Sequence, residues 1–152
     1  MDWVWLLFSS NGRLGKAHFW LAALILFVFG WSVTLVPVAG PLISWLSSYC
    51  WFCIYAKRLH DFGKSVWLEV FVFAFGYICL ALGIVVGGVG AVQAIVSNEF
   101  NWEMFVGVAG AVFGLIAASG AAHLTFLLYV GFRRGDRKSN RYGPPTDTRT
   151  LT

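Results

Sequence analysis

The sequence predicts an all-α integral membrane protein: a four-helix transmembrane bundle with a short N-terminal interfacial segment and a polar C-terminal tail. Three observations favour this fold. The 152 residues are 59% hydrophobic and only 12% charged, with mean hydropathy +0.73, which is far more apolar than a soluble domain of this size. Four apolar stretches are long enough to cross a bilayer. Every Lys and Arg lies outside them.

The four stretches are predicted at about 17–36, 38–56, 66–96 and 104–132, within one membrane domain of residues 1–135. The first two match the ~20 residues that a helix needs to cross ~30 Å of hydrocarbon. Pro37 and Pro41 predict a tight hairpin between them, because proline suits a helix start. The third and fourth are longer and must tilt, kink or project from the bilayer. Residues 136–152 are predicted to form a cytoplasmic, partly disordered tail.

The N-terminal segment is expected to be retained, because Asp2 stands where a signal peptide carries positive charge. Trp3, Trp5 and Phe8 suit the headgroup region, where indole rings combine an apolar body with a polar N–H. A frayed terminus is the alternative. The segment is therefore predicted to lie on the membrane surface.

Small residues at four-residue spacing predict that the third and fourth helices pair. Such residues let helix backbones approach closely in lipid, where little hydrophobic force acts between helices. A conduction path lined by glycine is the alternative to this seam. The predicted stripes are Gly83, Gly87 and Ala91 on the third helix, and Gly110, Gly114, Ala118 and Ala122 on the fourth.

The charge distribution predicts the orientation of the chain. Four crossings place every Lys and Arg on one side, whereas the other side carries only Glu99 and Glu103. Lys and Arg favour the cytoplasmic side, so both termini are expected there. The net charge of +4 is accounted for by this basic flank, and nucleic acid is not expected as a partner. The cations are Arg13, Lys16, Lys57, Arg58, Lys64, Arg133, Arg134, Arg137, Lys138, Arg141 and Arg149.

Three polar clusters on the predicted inner side are more specific than orientation requires. The first is Gly-Arg-Leu-Gly-Lys-Ala-His-Phe-Trp at residues 12–20. The second is Lys-Arg-Leu-His-Asp-Phe-Gly-Lys-Ser-Val-Trp at residues 57–67, and the third is Ser-Asn-Arg-Tyr-Gly-Pro at residues 139–144. Their order and content resemble the bacterial inner-membrane family called domain of unknown function 805, over about residues 8–144. The resemblance implies a small four-span protein and no assigned reaction.

This family resemblance has one departure, because Lys16 stands where the family usually has arginine. Lysine keeps the charge but lacks the planar pair of donors that clamps phosphate or carboxylate. The functional interpretation is a cytoplasmic-face site for an anionic lipid, another anionic ligand or a protein partner. Its predicted residues are Arg13, Lys16, Arg58, His60, Asp61, Lys64, Asn140, Arg141 and Tyr142.

A structural interpretation of the same loop stays open. Arg58 and Asp61 are three residues apart and can pair on one helix face. Gly63 can then form a left-handed helix cap, and Ser65 can cap the next helix. The segment around Asn140 either folds back onto this loop or leads into a disordered tail.

Polar groups within the predicted spans are further candidates, because burying charge in lipid is costly. Glu69 is predicted to form an interfacial ion pair with Lys64 or Lys57, or to act as a charge at the N-terminus of the third helix. His123 is either a neutral histidine hydrogen-bonded across a helix seam, or part of a proton relay or a substrate contact. Cys50 and Cys53 form a CxxC, but thiols in apolar helices mostly behave as small hydrophobes, and no metal set or disulfide is expected.

The sequence therefore favours a non-catalytic protein of the bacterial inner membrane, multi-pass, with both termini cytoplasmic. It carries none of the motifs for phosphate loops, zinc proteases or nucleophile elbows, and no cofactor is expected. Membrane lipids, anionic ones in particular, are the expected partners, together with a protein partner or a second copy of the chain. Transport of a small solute or ion by an oligomer is the alternative. A lipid-headgroup enzyme using His60 and Asp61 is a weaker one.

Overall fold

The computed structural model describes residues 2–34, 40–97 and 101–146. Within those ranges the chain is all-helical and has no β-strand, which confirms the predicted fold class at that level. The predicted turn at Pro37 and the charge at Glu99 lie outside the described residues. The helices are α1 (Trp3–Phe8), α2 (Lys16–Thr34), α3 (Gly40–Asp61), α4 (Trp67–Ser97) and α5 (Trp102–Phe132).

Helices α4 and α5 are long and apolar enough to cross a membrane, and α2 contains a shorter apolar stretch, Lys16–Ser32. In α5 none of the most apolar segment is buried within the chain, and in α4 only 6% of it is. A helix in the core of a soluble protein would be covered by other side chains. These two helices therefore suggest a membrane protein.

The N-terminal segment is a helix that begins at an aspartate cap. Asp2 Oδ1 accepts hydrogen bonds from the backbone N–H of Val4 and Trp5, at 3.0 and 3.1 Å. These bonds satisfy donors that a helix start leaves without partners. Leu6 is buried against the rest of the chain, whereas Trp3 and Phe8 are exposed. The segment thus presents one anchoring face and one aromatic face.

The chain forms two compact units. Unit 1 comprises Met1–Glu69 and Leu128–Thr152, and unit 2 is Val70–Leu127. In unit 1, α3 packs against both α1 and α2. The buried apolar side chains of this unit include Leu6, Phe19, Ala22, Leu26, Ile54, Leu59 and Val130.

In unit 2, α4 and α5 meet at a different line from the predicted seam. The His123 ring lies edge-on to Phe73 and fills the space beside Gly76, where an added Cβ would overlap it. Farther along, an added Cβ at Gly90 would meet Val108 Cγ2 at 2.8 Å. Contact along this line combines small residues of α4 with larger side chains of α5.

The predicted seam is wrong for three of its glycines. No atom lies within 4 Å of a Cβ added at Gly83, Gly110 or Gly114, and Gly87 makes only an ordinary contact with Val112, at 3.8 Å. Four-residue spacing identifies a face of a helix but not its rotation toward the neighbour. The stripe therefore did not determine the contact.

Candidate functional site

The three polar clusters of the sequence meet at one site in unit 1, around the carboxylate of Asp61. Asp61 ends α3, and Arg58 lies one turn earlier on that helix. Arg58 Nη1 contacts Asp61 Oδ2 at 2.5 Å, and Arg13 Nη2 contacts Asp61 Oδ1 at 3.0 Å. The three side chains are at most 2% exposed. We call Arg13, Arg58 and Asp61 the buried network.

The Arg13 guanidinium is fully occupied by acceptors within the chain. Its Nε donates to Asp61 Oδ1 at 3.1 Å. Arginine has five N–H donors, and the other four have backbone carbonyls within reach. These carbonyls belong to Asp61 (3.0 Å), Asp136 (2.6 Å), Lys138 (3.0 Å) and Gly143 (3.2 Å). All of the Arg13 donors are therefore used within the chain, and none is left for a ligand.

The Arg58 guanidinium is used in a similar way. Beyond Asp61, it donates to the carbonyls of Leu14 at 3.3 Å, Val130 at 3.2 Å and Arg133. Burial lowers the pKa of Arg58, and the Asp61 carboxylate acts in the opposite direction. One buried carboxylate thus faces two guanidiniums, and backbone carbonyls compensate for the second positive charge. The predicted ligand role of Arg13 and Arg58 gains no support from this geometry.

The C-terminal segment, defined here as residues 133–146, closes over the buried network. Thr146 Oγ1 donates to Asp61 Oδ1 at 2.7 Å, and the Asp136 N–H donates to the Asp61 carbonyl at 2.7 Å. Gly135 lies so close that an added Cβ would overlap the Asp61 carboxylate. The alternative in which this part of the chain folds back is the one observed, and the rest of the predicted tail lies outside the described residues.

A stacked pair of rings joins the second and third clusters. The rings of His60 and Tyr142 lie with centroids 3.7 Å apart and planes 12° apart. His60 Nδ1 is 3.2 Å from the Gly12 carbonyl, which also ties the first cluster to this pair. Burial lowers the pKa of His60, and the nearby Arg141 charge lowers it further. The Arg141 guanidinium lies 4.7 Å from the Tyr142 ring centroid.

Asn140 fixes the turn that carries Tyr142. Asn140 and Gly143 exchange two backbone hydrogen bonds, at 3.1 and 3.0 Å. The Asn140 side chain donates to the His60 carbonyl at 2.9 Å, and its Oδ1 accepts from the Tyr142 N–H at 2.9 Å. Asn140 thus connects its own turn to the end of α3.

The end of α3 is shaped by Gly63. Gly63 has φ +71°, and the Gly63 and Lys64 N–H groups donate back to the His60 and Leu59 carbonyls. This is a Schellman cap, in which a residue without Cβ takes the left-handed conformation at little cost. The predicted left-handed cap is confirmed, and it turns the chain so that Asp61 faces the C-terminal segment.

Lys57 is a buried cation. The sequence predicted that it lies on the inner side but gave it no contact within α1. Its Nζ donates to the Trp5 and Leu6 carbonyls, both at 2.6 Å, and lies 4.3 Å from the Trp5 ring centroid. Burial lowers the pKa of Lys57 to about 8. Lys57 therefore caps the carboxyl end of α1 and holds that helix against α3.

The remaining predicted cations are at the surface. Lys16, Lys64 and Arg141 are exposed. Lys16 Nζ lies 5.2 Å from the Phe132 ring centroid, and the Lys64 backbone belongs to the cap described above. None of the three reaches the Asp61 carboxylate in the hydrogen bonds and ion pairs of the described residues. They form a separate, accessible set of charges.

Glu69 differs from every other buried charged group in unit 1. It lies in the first turn of α4 and is 0% exposed. Neither carboxylate oxygen has a hydrogen-bond partner among the described residues. The predicted ion pair is absent from that part of the chain, since Lys57 binds carbonyls of α1 and Lys64 is exposed.

His123 and the cysteines complete the predicted set. His123 Nδ1 is 2.9 Å from the Ser119 carbonyl of its own helix, so it is bonded within α5 rather than across the seam, and its ring packs on α4. Cys50, Cys53 and Cys79 are buried free thiols. Among the described residues no three His, Cys, Asp or Glu side chains are grouped to hold a metal ion.

Sequence reasoning missed several contributors to the site. Gly135, Asp136 and Thr146 contact Asp61, and Leu14 supplies a carbonyl to Arg58. Most of these contacts use backbone atoms, which side-chain patterns do not mark. A glycine next to Asp136 in an otherwise basic segment was the only available signal.

Comparisons with curated proteins and with solved structures found no match to this chain. One family model matches residues 7–144, a range that contains all three polar clusters and the entire buried network. The resemblance expected from those clusters is confirmed. The match covers most of the chain, which therefore belongs to the family described as Protein of unknown function (DUF805).

Proposed function

We propose that this protein is a non-catalytic bacterial inner-membrane protein that binds anionic phospholipid headgroups at its cytoplasmic surface. In this proposal the chain crosses the membrane four times and keeps both termini in the cytoplasm. The one-sided distribution of Lys and Arg supports that orientation. Two long apolar helices and the short apolar stretch in α2 support the membrane location.

One observation carries the binding proposal: the basic side chains divide into a buried set and an exposed set. Arg13, Lys57 and Arg58 are buried and engaged within the chain. The other described Lys and Arg side chains are exposed, and all of them belong to unit 1: Lys16, Lys64, Arg133, Arg134, Arg137, Lys138 and Arg141. We call these the basic surface.

In this proposal the basic surface lies beside the membrane, where anionic headgroups are available. Polybasic segments beside a membrane gain ~1 kcal/mol per Lys or Arg from an anionic leaflet. In the same unit, Trp3 and Phe8 of α1 are exposed aromatic side chains of the type found at the headgroup level. A unit that exposes both cations and interfacial aromatics fits a phospholipid phosphate better than a free anion in water.

Catalysis has less support. His60 and Asp61, the residues of the weaker enzyme alternative, are both buried. His60 stacks on Tyr142, and Asp61 is paired with two arginines. A general base must reach a substrate proton, and these contacts already occupy both groups. Their geometry supports a role in holding the C-terminal segment.

The binding proposal can be tested by native mass spectrometry of protein released from nanodiscs. The discs contain phosphatidylglycerol and phosphatidylcholine in equal amounts. The variant Lys64→Gln, Arg134→Gln, Arg137→Gln, Lys138→Gln removes exposed charge while leaving the buried network intact. Each Lys or Arg contributes ~1 kcal/mol to binding of an anionic headgroup. We therefore expect phosphatidylglycerol retention to fall by up to about fivefold for each charge removed.

Glu103→Gln is the matched control, because Glu103 is an exposed charge of unit 2. It should leave phosphatidylglycerol retention unchanged. Equal retention in the wild type and the quadruple variant would remove the proposal. Displacement of the lipid by inorganic phosphate would indicate a free-anion site, and a co-purifying protein with no retained lipid would favour a protein partner.

A second candidate, transport of a proton or small solute by an oligomer, is favoured by the unpaired carboxyl of Glu69 in a helix long enough to span the membrane. It can be tested in proteoliposomes with an internal pH-sensitive dye. We expect a pH gradient to dissipate faster with wild-type protein than with Glu69→Gln. Equal dissipation in both preparations and in empty liposomes would exclude proton transport.

A further inference from the structure

Glu69 is the one buried charged group of unit 1 whose side chain has no polar partner among the described residues. The buried network is internally paired, and Lys57 binds two carbonyls. The Glu69 carboxyl has neither type of contact and no exposure to solvent. This contrast separates Glu69 from groups that only stabilise the fold.

The groups of α3 coupled electrostatically to Glu69 are two uncharged donors, while the Lys57 ammonium, which also acts on Cys53, binds carbonyls of α1. The Cys53 thiol and the Tyr55 hydroxyl of α3 lie within electrostatic range of the carboxyl. Both groups are buried and uncharged at neutral pH. No ion pair reaches Glu69 among the described residues. Among the described residues, the carboxyl therefore has uncharged donors but no ion-pair partner on the side of α3.

A carboxylate in this environment would be very costly. Removing an isolated carboxylate from water costs far more than removing a neutral acid, and such groups take up a proton instead. The partial positive charge at a helix N-terminus stabilises a nearby carboxylate by only ~2 kcal/mol in favourable cases. The position in the first turn of α4 therefore does not suffice to keep the anion.

We propose that Glu69 is a reversible proton-binding site, holding a neutral carboxyl in the described conformation. Release breaks the carboxyl O–H bond and transfers the proton to water, which requires the start of α4 to open toward solvent. The ligand is the proton alone, because the described residues offer no group of acidic, histidine or cysteine ligands for a metal ion. The site is independent of lipid binding at the basic surface.

Infrared difference spectroscopy of the wild type against Glu69→Gln tests this site directly. The protein is held in nanodiscs at neutral pH, in ordinary and heavy water. We expect a protonated-carboxyl C=O band that shifts in heavy water and is completely lost in Glu69→Gln. The Glu103→Gln control and the quadruple variant of the basic surface should both retain it. No protonated-carboxyl difference at neutral pH would overturn the proposal.

A stability measurement covers the case in which the variant alters the fold. Glutamine matches the shape of the neutral acid. At neutral pH, the melting temperature of Glu69→Gln should therefore equal or exceed that of the wild type. Raising the pH should lower the melting temperature of the wild type more than that of Glu69→Gln, because loss of the proton leaves a buried anion. A Glu69→Gln protein that fails to fold would show that the anion is needed, and would also overturn the proposal.

Discussion

Within each of the two units, a different kind of interaction holds the helices and segments together. In unit 1, a carboxylate, two arginines and several backbone carbonyls join segments that are as far apart in sequence as Arg13 and Gly143. In unit 2, α4 and α5 touch at scattered points such as Gly76 and Gly90, while most of their apolar surface is exposed. The polar contacts therefore determine one specific arrangement in unit 1, whereas α4 and α5 of unit 2 leave most of their apolar surface uncovered within the chain.

The structure separates two roles, organising the loop and binding a ligand, that the sequence pattern could not distinguish. The same inner-side clusters were predicted both to organise the loop and to bind a ligand. The structure gives the buried members internal partners and leaves the basic surface exposed. The binding proposal therefore rests on residues outside the buried network, whose own members contact one another and the backbone.

The largest expected effect is that of Asp61→Asn. It keeps the shape of the side chain but leaves two buried guanidiniums without a counter-charge, and breaking a buried ion pair in this way costs ~3–5 kcal/mol. We expect a large fall in the melting temperature of the detergent-solubilised protein. An unchanged melting temperature would show that the ion pairs are dispensable, and Glu103→Gln serves as the control for charge removal.

Gly135→Ala tests the closure of the C-terminal segment. The added Cβ would overlap the Asp61 carboxylate, and overpacking of this kind costs ~1–3 kcal/mol. Gly15→Ala is the matched control, because its Cβ would meet Thr146 at an ordinary 3.6 Å. We expect a lower melting temperature for Gly135→Ala only. Equal values for the two variants would refute the close approach of Gly135 to Asp61.

Gly76→Ala tests the observed contact line in unit 2. Its Cβ would overlap the His123 ring, whereas Gly83 on the same helix has open space. Each substitution gains up to ~1 kcal/mol of helix propensity, and only Gly76→Ala should incur an overpacking cost of ~1–3 kcal/mol. We expect Gly83→Ala to melt at the higher temperature. The reverse order would restore the seam predicted from the small-residue stripe.

The smallest expected effect concerns acidification at His60. Its pKa is lowered by burial, so the unfolded chain binds more protons than the folded chain as the pH falls through and below the ordinary value near 6.5. Stability should therefore decrease with acidification in that range. We expect the melting temperature of His60→Gln to depend less on pH than that of the wild type. Parallel curves would show that His60 does not contribute.

Much of the helical framework was predictable from the sequence. The apolar stretches predicted α2, α4 and α5 to within about two residues at each end, because apolar runs of this length have few other structures available. Helix α3 continues to Asp61, past the predicted end at residue 56. It does so because Lys57, Arg58 and Asp61 are all paired, so the polar residues need not leave the helix.

The candidate site was predictable only in part. Arg13, Arg58, His60, Asp61, Asn140 and Tyr142 come together, as the three clusters indicated. The carbonyl partners of the arginines and the closeness of Gly135 were not foreseen, because they depend on backbone positions fixed by tertiary packing. The small-residue pattern could not predict which faces of α4 and α5 meet, because spacing along one helix does not specify the residue that faces it on the other.

The most direct test of the central claim is the rate of trypsin cleavage in the C-terminal segment, which contains exposed sites at Arg137, Lys138 and Arg141. Cleavage is followed by mass spectrometry in protein reconstituted in nanodiscs, where both faces of the membrane are accessible to trypsin. If the buried network holds the segment, cleavage is slow in the wild type and much faster in Asp61→Asn, because trypsin requires local opening. Equal rates in the two proteins would contradict the account.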